Sequence, residues 1–156
     1  MVGKTSMVVA CVAIGSRISI YGVRINRRRQ PGSSPPNLER DVDITALVKV
    51  VHDAFIATAA FPLEAVRTRS VRRENYRIAD GNPRNAFLCV VGRIAPGRPQ
   101  EIRHQLGKFV FEAIQSHLSE ISAKIPLSIT FELHEIDQTS AFRQNTIQCE
   151  SAETSL

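Results

Sequence analysis

From residue 41 onward, apolar and polar positions follow two clear periods. Ile44, Leu47, Val48, Val51 and Phe55 recur every three or four residues. That spacing predicts an amphipathic helix over Ile44 to Ala60. Asp41 or Asp43 suits its N-cap. Phe61-Pro62-Leu63 ends it, because the residue before a proline avoids helical geometry. Ala65 to Val71 alternates small or apolar with polar side chains and reads as a strand. Asp80-Gly81-Asn82-Pro83 is a turn. Ala86 to Ile94 is mostly apolar, the pattern of a strand buried on both faces. A second turn, Ala95-Pro96-Gly97-Arg98, follows. Ile102, Leu106, Phe109, Ala113, His117 (or Leu118) and Ile121 then mark a long helix from about Pro99 to Ala123, with Pro99 in its first turn. Leu127, Ile129, Phe131 and Leu133 alternate with Ser128, Thr130, Glu132 and His134, the clearest half-buried strand in the chain. After Ile136 the pattern fades into a polar tail.

The second half thus reads strand, turn, helix, strand. The first half reads helix then strand, with an ill-defined strand before them. Parallel strands need a crossover between them, and a helix supplies one. The expected fold is α+β: two fused β-α-β units forming a mixed sheet with two helices packed on one face. Residues 37–148 are the expected domain, residues 1–36 an atypical N-terminal extension, partly disordered or irregular, and residues 149–156 a disordered tail. Within the extension, Met7 to Ile14 is an apolar run and Ile18 to Ile25 alternates in part. Arg27-Arg28-Arg29-Gln30-Pro31-Gly32-Ser33-Ser34-Pro35-Pro36 is basic, then rich in Gly, Ser and Pro, and reads as a linker.

Composition narrows the class. With 156 residues, 43% hydrophobic and 22% charged, the chain is long enough to bury one core. Its charge is uneven. Lys4 to Arg29 carries six cations and no acid, whereas acids and bases mix from Asn37 onward. The basic pI therefore argues poorly for nucleic-acid binding by the body. Cys11, Cys89 and Cys149 are far apart, and His52, His104, His117 and His134 lack metal-ligand spacing. Neither a disulfide framework nor a metal site is signalled. No apolar stretch approaches the roughly 20 residues that span a bilayer. A cytoplasmic protein without a membrane partner is expected. The short cationic start before an apolar run resembles a targeting peptide, but no cleavage site follows it.

Few residues point to chemistry unaided. Gly3-Lys4-Thr5-Ser6 imitates the end of a phosphate-binding loop but lacks the earlier glycine that the loop needs. The Arg24 to Arg29 cluster suits RNA, DNA or an anionic membrane surface, and equally a solvated segment, the reading preferred here. Arg67 follows the first helix on a strand, and Arg98 sits in the turn between a strand and the second helix. Guanidinium groups so placed can hold carboxylates through paired hydrogen bonds. Arg69, Arg72, Arg73, Arg77, Arg84, Arg93 and Arg103 compete for that role. His117, on or beside the apolar stripe, suits a packed histidine, and His134 an exposed one. These observations alone stop at a soluble α+β domain.

An ordered string of motifs goes further. Phe61-Pro62-Leu63-Glu64-Ala65-Val66-Arg67-Thr68-Arg69 is similar to an FPL-x-G-[IV]-R-[ST]-R signature. Ala79-Asp80-Gly81 matches an ADG turn, and Ala86-Phe87 followed by Ile94-Ala95-Pro96-Gly97-Arg98 an AF…[IL]-x-x-GR segment. Leu127 to Leu133 and Phe142-Arg143-Gln144-Asn145-Thr146-Ile147 match LS-x-x-FE-[IL] and F-[KR]-QN-x-[IV]. Together, from Asn37 to Ile147, they resemble the 5-carboxymethyl-2-hydroxymuconate isomerase family of the tautomerase superfamily. The resemblance implies two fused βαβ units assembling as a homotrimer. It also implies a cofactor-free and metal-free proton transfer on an unsaturated di- or tricarboxylate, in the breakdown of homoprotocatechuate. The arginines matching the family's substrate-binding pair are Arg67 and Arg98.

The resemblance has one departure. In the family, the base is the amine of an amino-terminal proline at the start of the first strand. An α-amino group titrates at about 7.7–8, and a cationic site lowers it towards neutrality, where a proton shuttle works best. Here Met1 is followed by Val2, and the family's spacing counted back from Asn37 lands on Arg28. Pro31, Pro35 and Pro36 are internal, so their nitrogens are amides. Three readings follow. Residues 1–34 are not the domain's natural beginning, which is the reading preferred here. Or the chain is a catalytically silent binding protein of the same fold. Or the Val2 amine folds back into the cleft.

Overall fold

The computed structural model describes residues 8–14, 38, 41–72, 76–142 and 144–149, with 8–14 and 72 as backbone alone. In chain order these form β1 (Val8–Ile14), α1 (Ile44–Ala57), a 3-10 turn (Leu63–Ala65), β2 (Val66–Arg72), β3 (Ala86–Ile94), α2 (Gln100–His117), α3 (Ser119–Ser122) and β4 (Leu127–Glu135). The sheet order is β2-β1-β3-β4. β1 runs parallel to β2, β3 runs parallel to β4, and β1 and β3 meet antiparallel. These are the two expected βαβ units, joined through their first strands.

The apolar run near the amino terminus, within the stretch read as an extension, supplies a central strand of the sheet. A strand with neighbours on both edges satisfies its backbone groups on both sides, which suits an uninterrupted apolar run. The Gly3-Lys4-Thr5-Ser6 stretch, the Arg24 to Arg29 cluster, the linker ending at Pro36 and residues 150–156 lie outside the described residues.

α1 begins where its cap requires. The Asp43 carboxylate accepts the N–H groups of Thr45 (2.8 Å) and Ala46 (3.1 Å). It stops at Ala57, three residues short of the expected Ala60. There Thr58 donates its hydroxyl to the Phe55 carbonyl, and Ala59 turns the chain at φ 52°. In place of one turn over residues 80–83 the chain makes two: the Gly81 N–H donates to the Ile78 carbonyl (2.8 Å) and the Asn85 N–H to the Asn82 carbonyl (3.0 Å). Gly81 adopts φ 88°, and a Cβ there would lie 2.9 Å from Cζ of Arg77.

Both helices lie on one side of the sheet, α1 against β1 and β2, α2 against β4, and each against the other. β3 shows the consequence residue by residue. Ala86, Leu88, Val90, Gly92 and Ile94 are buried under the helices, while Phe87, Cys89, Val91 and Arg93 are half-buried on the other face. Its apolar sequence suggests burial on both faces. Among the described residues no second layer covers that face, because both crossovers run on the other side.

The second helix also departs from expectation. It breaks at Leu118, so the stretch to Ala123 is two helices. Its buried stripe is Leu106, Val110 and Ile114, continued by Leu118, while Ile102 and Phe109 are 42% and 47% exposed. Two overlapping stripes exist in this sequence, and Gly107 selects between them. A Cβ there would stand 3.3 Å from the Phe131 ring, so the glycine lets this side of the helix approach β4 closely. His117 is consequently exposed, and Leu118 takes the buried position. His134 is exposed as expected, its Nε2 2.8 Å from Oε2 of Glu132.

Gly92 is a similar close approach. A Cβ at this position would lie 2.8 Å from Cδ1 of Leu133 and 3.0 Å from Cζ of Phe55. Overfilling a packed core costs about 1–3 kcal/mol. Gly92→Ala should therefore lower the urea midpoint of unfolding without changing the m-value. An unchanged midpoint would mean that Leu133 yields without cost.

Candidate active site

The strand directions bring four strand ends together. The starts of β1 and β2 lie beside the ends of β3 and β4, forming what we call the head of the sheet. Arg67 is the second residue of β2, level with Val9 on β1. Its neighbours fix its direction. Val66 is buried in the core, and Thr68 Oγ1 sits 3.0 Å from Nδ1 of His52 on α1. Alternation therefore turns the half-buried Arg67 away from the helices.

Arg98 reaches the same end from the turn after β3. Gly97 makes the turn possible with φ 99°. The Arg98 guanidinium donates to the Ala95 carbonyl (3.2 Å) and to the Ala60 carbonyl (3.0 Å). It also lies over the Phe61 ring, 4.6 Å from its centroid. Phe61 is itself buried and packs edge-on against Phe55, with centroids 6.1 Å apart. Arg98 thus stands at the rim of the core, tying the 95–98 turn to the segment that leads into β2. Arg67 and Arg98 share the head of the sheet and approach it from different sides.

Two further groups hold this end, and sequence reading passed over both. Glu135, the last residue of β4, accepts the Gly97 N–H at 3.3 Å and meets Arg103 Nη1 at 3.3 Å. It fastens the turn that carries Arg98 to α2. Asn145 donates its side-chain amide to the Glu64 carbonyl at 3.1 Å, bringing the carboxy-terminal segment back to the 3-10 turn before β2. Glu135 pairs with a residue 38 positions away, so no local pattern marks it. Asn145 lies inside the F-[KR]-QN-x-[IV] element, which flags the residue without its role.

Two of the competing arginines are engaged elsewhere. Arg77 donates to the Asp80 carbonyl and Arg84 to the Lys124 carbonyl, both at the opposite end of the sheet. An open groove lies at that end too, lined by Asn82, Arg84, Lys124 and Pro126 among others. Its lining includes the Ser122 hydroxyl but no acid or histidine to activate it, and we assign no chemistry to it. Among the described residues, no three His, Cys, Asp or Glu side chains converge as a metal site, and no helix is long and apolar enough to cross a membrane.

Comparisons with known proteins meet this geometry from outside. Residues 34–150 match the 5-carboxymethyl-2-hydroxymuconate isomerase family. The chain is 31% identical over 111 residues to the 5-carboxymethyl-2-hydroxymuconate Delta-isomerase of Escherichia coli, covering 71% of this chain and 88% of that protein. Among solved structures, a 5-carboxymethyl-2-hydroxymuconate isomerase from Deinococcus radiodurans R1 superposes with a TM-score of 0.71, at 21% identity, over 90% of this chain and 91% of that one. A protein described as a fused 4-OT wild type symmetric trimer superposes with a TM-score of 0.50, at 21% identity, over 84% and 87% of the two chains.

Proposed function

This chain belongs to the 5-carboxymethyl-2-hydroxymuconate isomerase family, and from that membership we propose that it isomerises 5-carboxymethyl-2-hydroxymuconate, or a close unsaturated polycarboxylate, by cofactor-free proton transfer. In this reaction a proton leaves the enol oxygen and is delivered to a carbon of the conjugated chain. The 2-hydroxy compound becomes its oxo isomer with no change in composition. Negative charge spreads along the dienolate between the two transfers. The enzyme must hold the carboxylates and offset that charge.

Arg67 and Arg98 are the groups we assign to this work. A guanidinium binds a carboxylate through two parallel N–H donors and stays charged at any working pH. The observation that carries the assignment is their common position at the head of the sheet, beside the start of β1. In the family that strand start carries the base.

We further propose a homotrimer. Its support is the sheet face opposite the helices, where Phe87, Cys89 and Val91 are half-buried and no second layer of the described residues lies upon them. The likeness to a symmetric trimer points the same way. A cytoplasmic place in aromatic-compound catabolism completes the reading.

The test is direct. The purified chain, in buffer containing a chelator, is mixed with 5-carboxymethyl-2-hydroxymuconate, and loss of the dienol absorbance is followed. We expect conversion to the oxo isomer well above the spontaneous rate. Conversion no faster than in buffer would remove the isomerase reading and leave a carboxylate-binding protein of the same fold.

A further inference from the structure

Glu135 divides its carboxylate between two elements at the head of the sheet. Oε1 accepts the Gly97 N–H at 3.3 Å, and Oε2 meets Nη1 of Arg103 at 3.3 Å. Gly97 belongs to the turn that carries Arg98, and Arg103 lies in the first turn of α2. Both flanks of that turn are fixed. The Ile136 N–H donates to the Ile94 carbonyl at 2.8 Å, and the Arg103 N–H to the Pro99 carbonyl at 3.1 Å. Between them Gly97 adopts φ 99°, and a Cβ there would meet nothing within 4 Å. Glycine is demanded by the backbone direction rather than by space, and in that conformation its N–H faces Glu135.

We propose that Glu135 and Arg103 are a positioning pair for Arg98: Glu135 holds the 95–98 turn in place while the Arg98 guanidinium engages a substrate carboxylate, and Arg103 neutralises Glu135 so that it does not compete with that carboxylate. The inference rests on the isomerase reading and deepens it. Its first support is the double duty of Arg98. Nη1 donates to the Ala95 carbonyl and Nη2 to the Ala60 carbonyl, so the guanidinium secures its own turn. A carboxylate fork engages one or both of these nitrogens, in competition with the carbonyls. The bond from Gly97 to Glu135 does not involve the guanidinium and holds the turn whichever acceptor Arg98 faces.

The second support is charge. A bare carboxylate beside an arginine that binds carboxylates would draw that arginine to itself and repel the substrate. Arg103 offsets it. Stability explains the pair poorly. Its side chains are 34% and 32% exposed, where an ion pair contributes little. Arg103 also leaves its Nε buried with no acceptor among the described residues, which costs stability.

The experiment follows steady-state kinetics with 5-carboxymethyl-2-hydroxymuconate, alongside urea unfolding, in four variants. Glu135→Ala frees the turn, and we expect kcat/KM to fall about 10- to 100-fold. Glu135→Gln keeps an oxygen for the Gly97 N–H and should regain most of that loss. Arg103→Ala leaves Glu135 charged and unpaired, so KM should rise about 3- to 10-fold with kcat little altered. Adding Glu135→Gln to Arg103→Ala should bring KM back to within about twofold of the wild type. Stability alone cannot move the KM of a chain that stays folded in the assay, which the urea midpoints establish. Equal losses in Glu135→Ala and Glu135→Gln, or a KM that Arg103→Ala leaves unmoved or the double variant does not restore, would overturn the proposal. Should Glu135→Ala fail to fold, the KM values of Arg103→Ala and the double variant decide. Calorimetric titration with glutarate separates this inference from the isomerase reading. If the wild type turns over nothing, that reading falls. The inference then stands if glutarate binds the wild type, binds Arg103→Ala more weakly and recovers in the double variant. It falls as well if glutarate does not bind or its Kd does not move.

Discussion

Replacing Phe55 by alanine should cost about 3–5 kcal/mol of folding stability, the largest loss expected from any single truncation in this core. Phe55 is 0% exposed. It sits edge-on to Phe61 and tilted against Phe131, with centroids 6.1 and 6.3 Å away. Its Cζ lies 3.0 Å from where a Cβ at Gly92 would stand. One ring therefore links α1, the segment before β2, β3 and β4. Removing it opens a cavity between elements that cannot collapse together, and Gly92 has no side chain to lean in. The cost of such deletions grows with the void left behind. Urea unfolding at 25 °C reads it as a large drop in midpoint. Phe55→Leu keeps much of the volume and should lose far less, about 1.5 kcal/mol. A loss near 1 kcal/mol for the alanine variant would show that the helices close the gap, contrary to the packing described.

The same ring shows where sequence reading succeeds and where it stops. Phe55 is legible as core because it repeats with Leu47 and Val51 at helical spacing, and all three are buried. β4 is legible because its alternation is uninterrupted, and the turns at Gly81 and Gly97 because glycine supplies the positive φ they use. These are local rules with local evidence. The phase of α2 is different. Leu106 belongs to two stripes, one through Phe109 and one through Val110, and hydrophobicity alone favours the larger phenylalanine. What decides is the contact of Gly107 with a phenylalanine 24 residues later, which a window along the chain does not contain. That no described layer covers the second face of β3 escaped for a related reason. An apolar strand looks the same whether a second helix layer or another copy of the chain covers it.

The candidate site was legible as a string and illegible as a device. The FPL and GR motifs single out Phe61 and Arg98, yet spacing gives no sign that the guanidinium lies on the ring and bonds the preceding carbonyl. Glu135 and Arg103 form their pair across the end of β4 and the start of α2, and each reads as an ordinary surface charge in sequence. Arg93 looked like one arginine among many until strand register set it level with Arg67. Pairing between strands is long-range information.

Alanine at either assigned arginine should reduce kcat/KM by about 10²–10³-fold, but the two variants should differ in stability. Arg67 sits at a strand start, half-buried, and its loss should leave the folding stability within about 0.5 kcal/mol of the wild type. Arg98 holds the Ala95 and Ala60 carbonyls and covers Phe61, so its loss unfastens the turn and exposes a buried ring. Lost hydrogen bonds and the cation–π contact together amount to about 1–3 kcal/mol. Arg98→Lys sharpens the distinction: an ammonium can still lie over the ring but cannot span two carbonyls and a carboxylate at once. It should recover much of the stability and little of the activity. Activity that survives in both alanine variants would show that neither guanidinium touches the substrate. Activity lost only in step with stability across the Arg98 series would reduce that residue to a staple and leave carboxylate binding to Arg67.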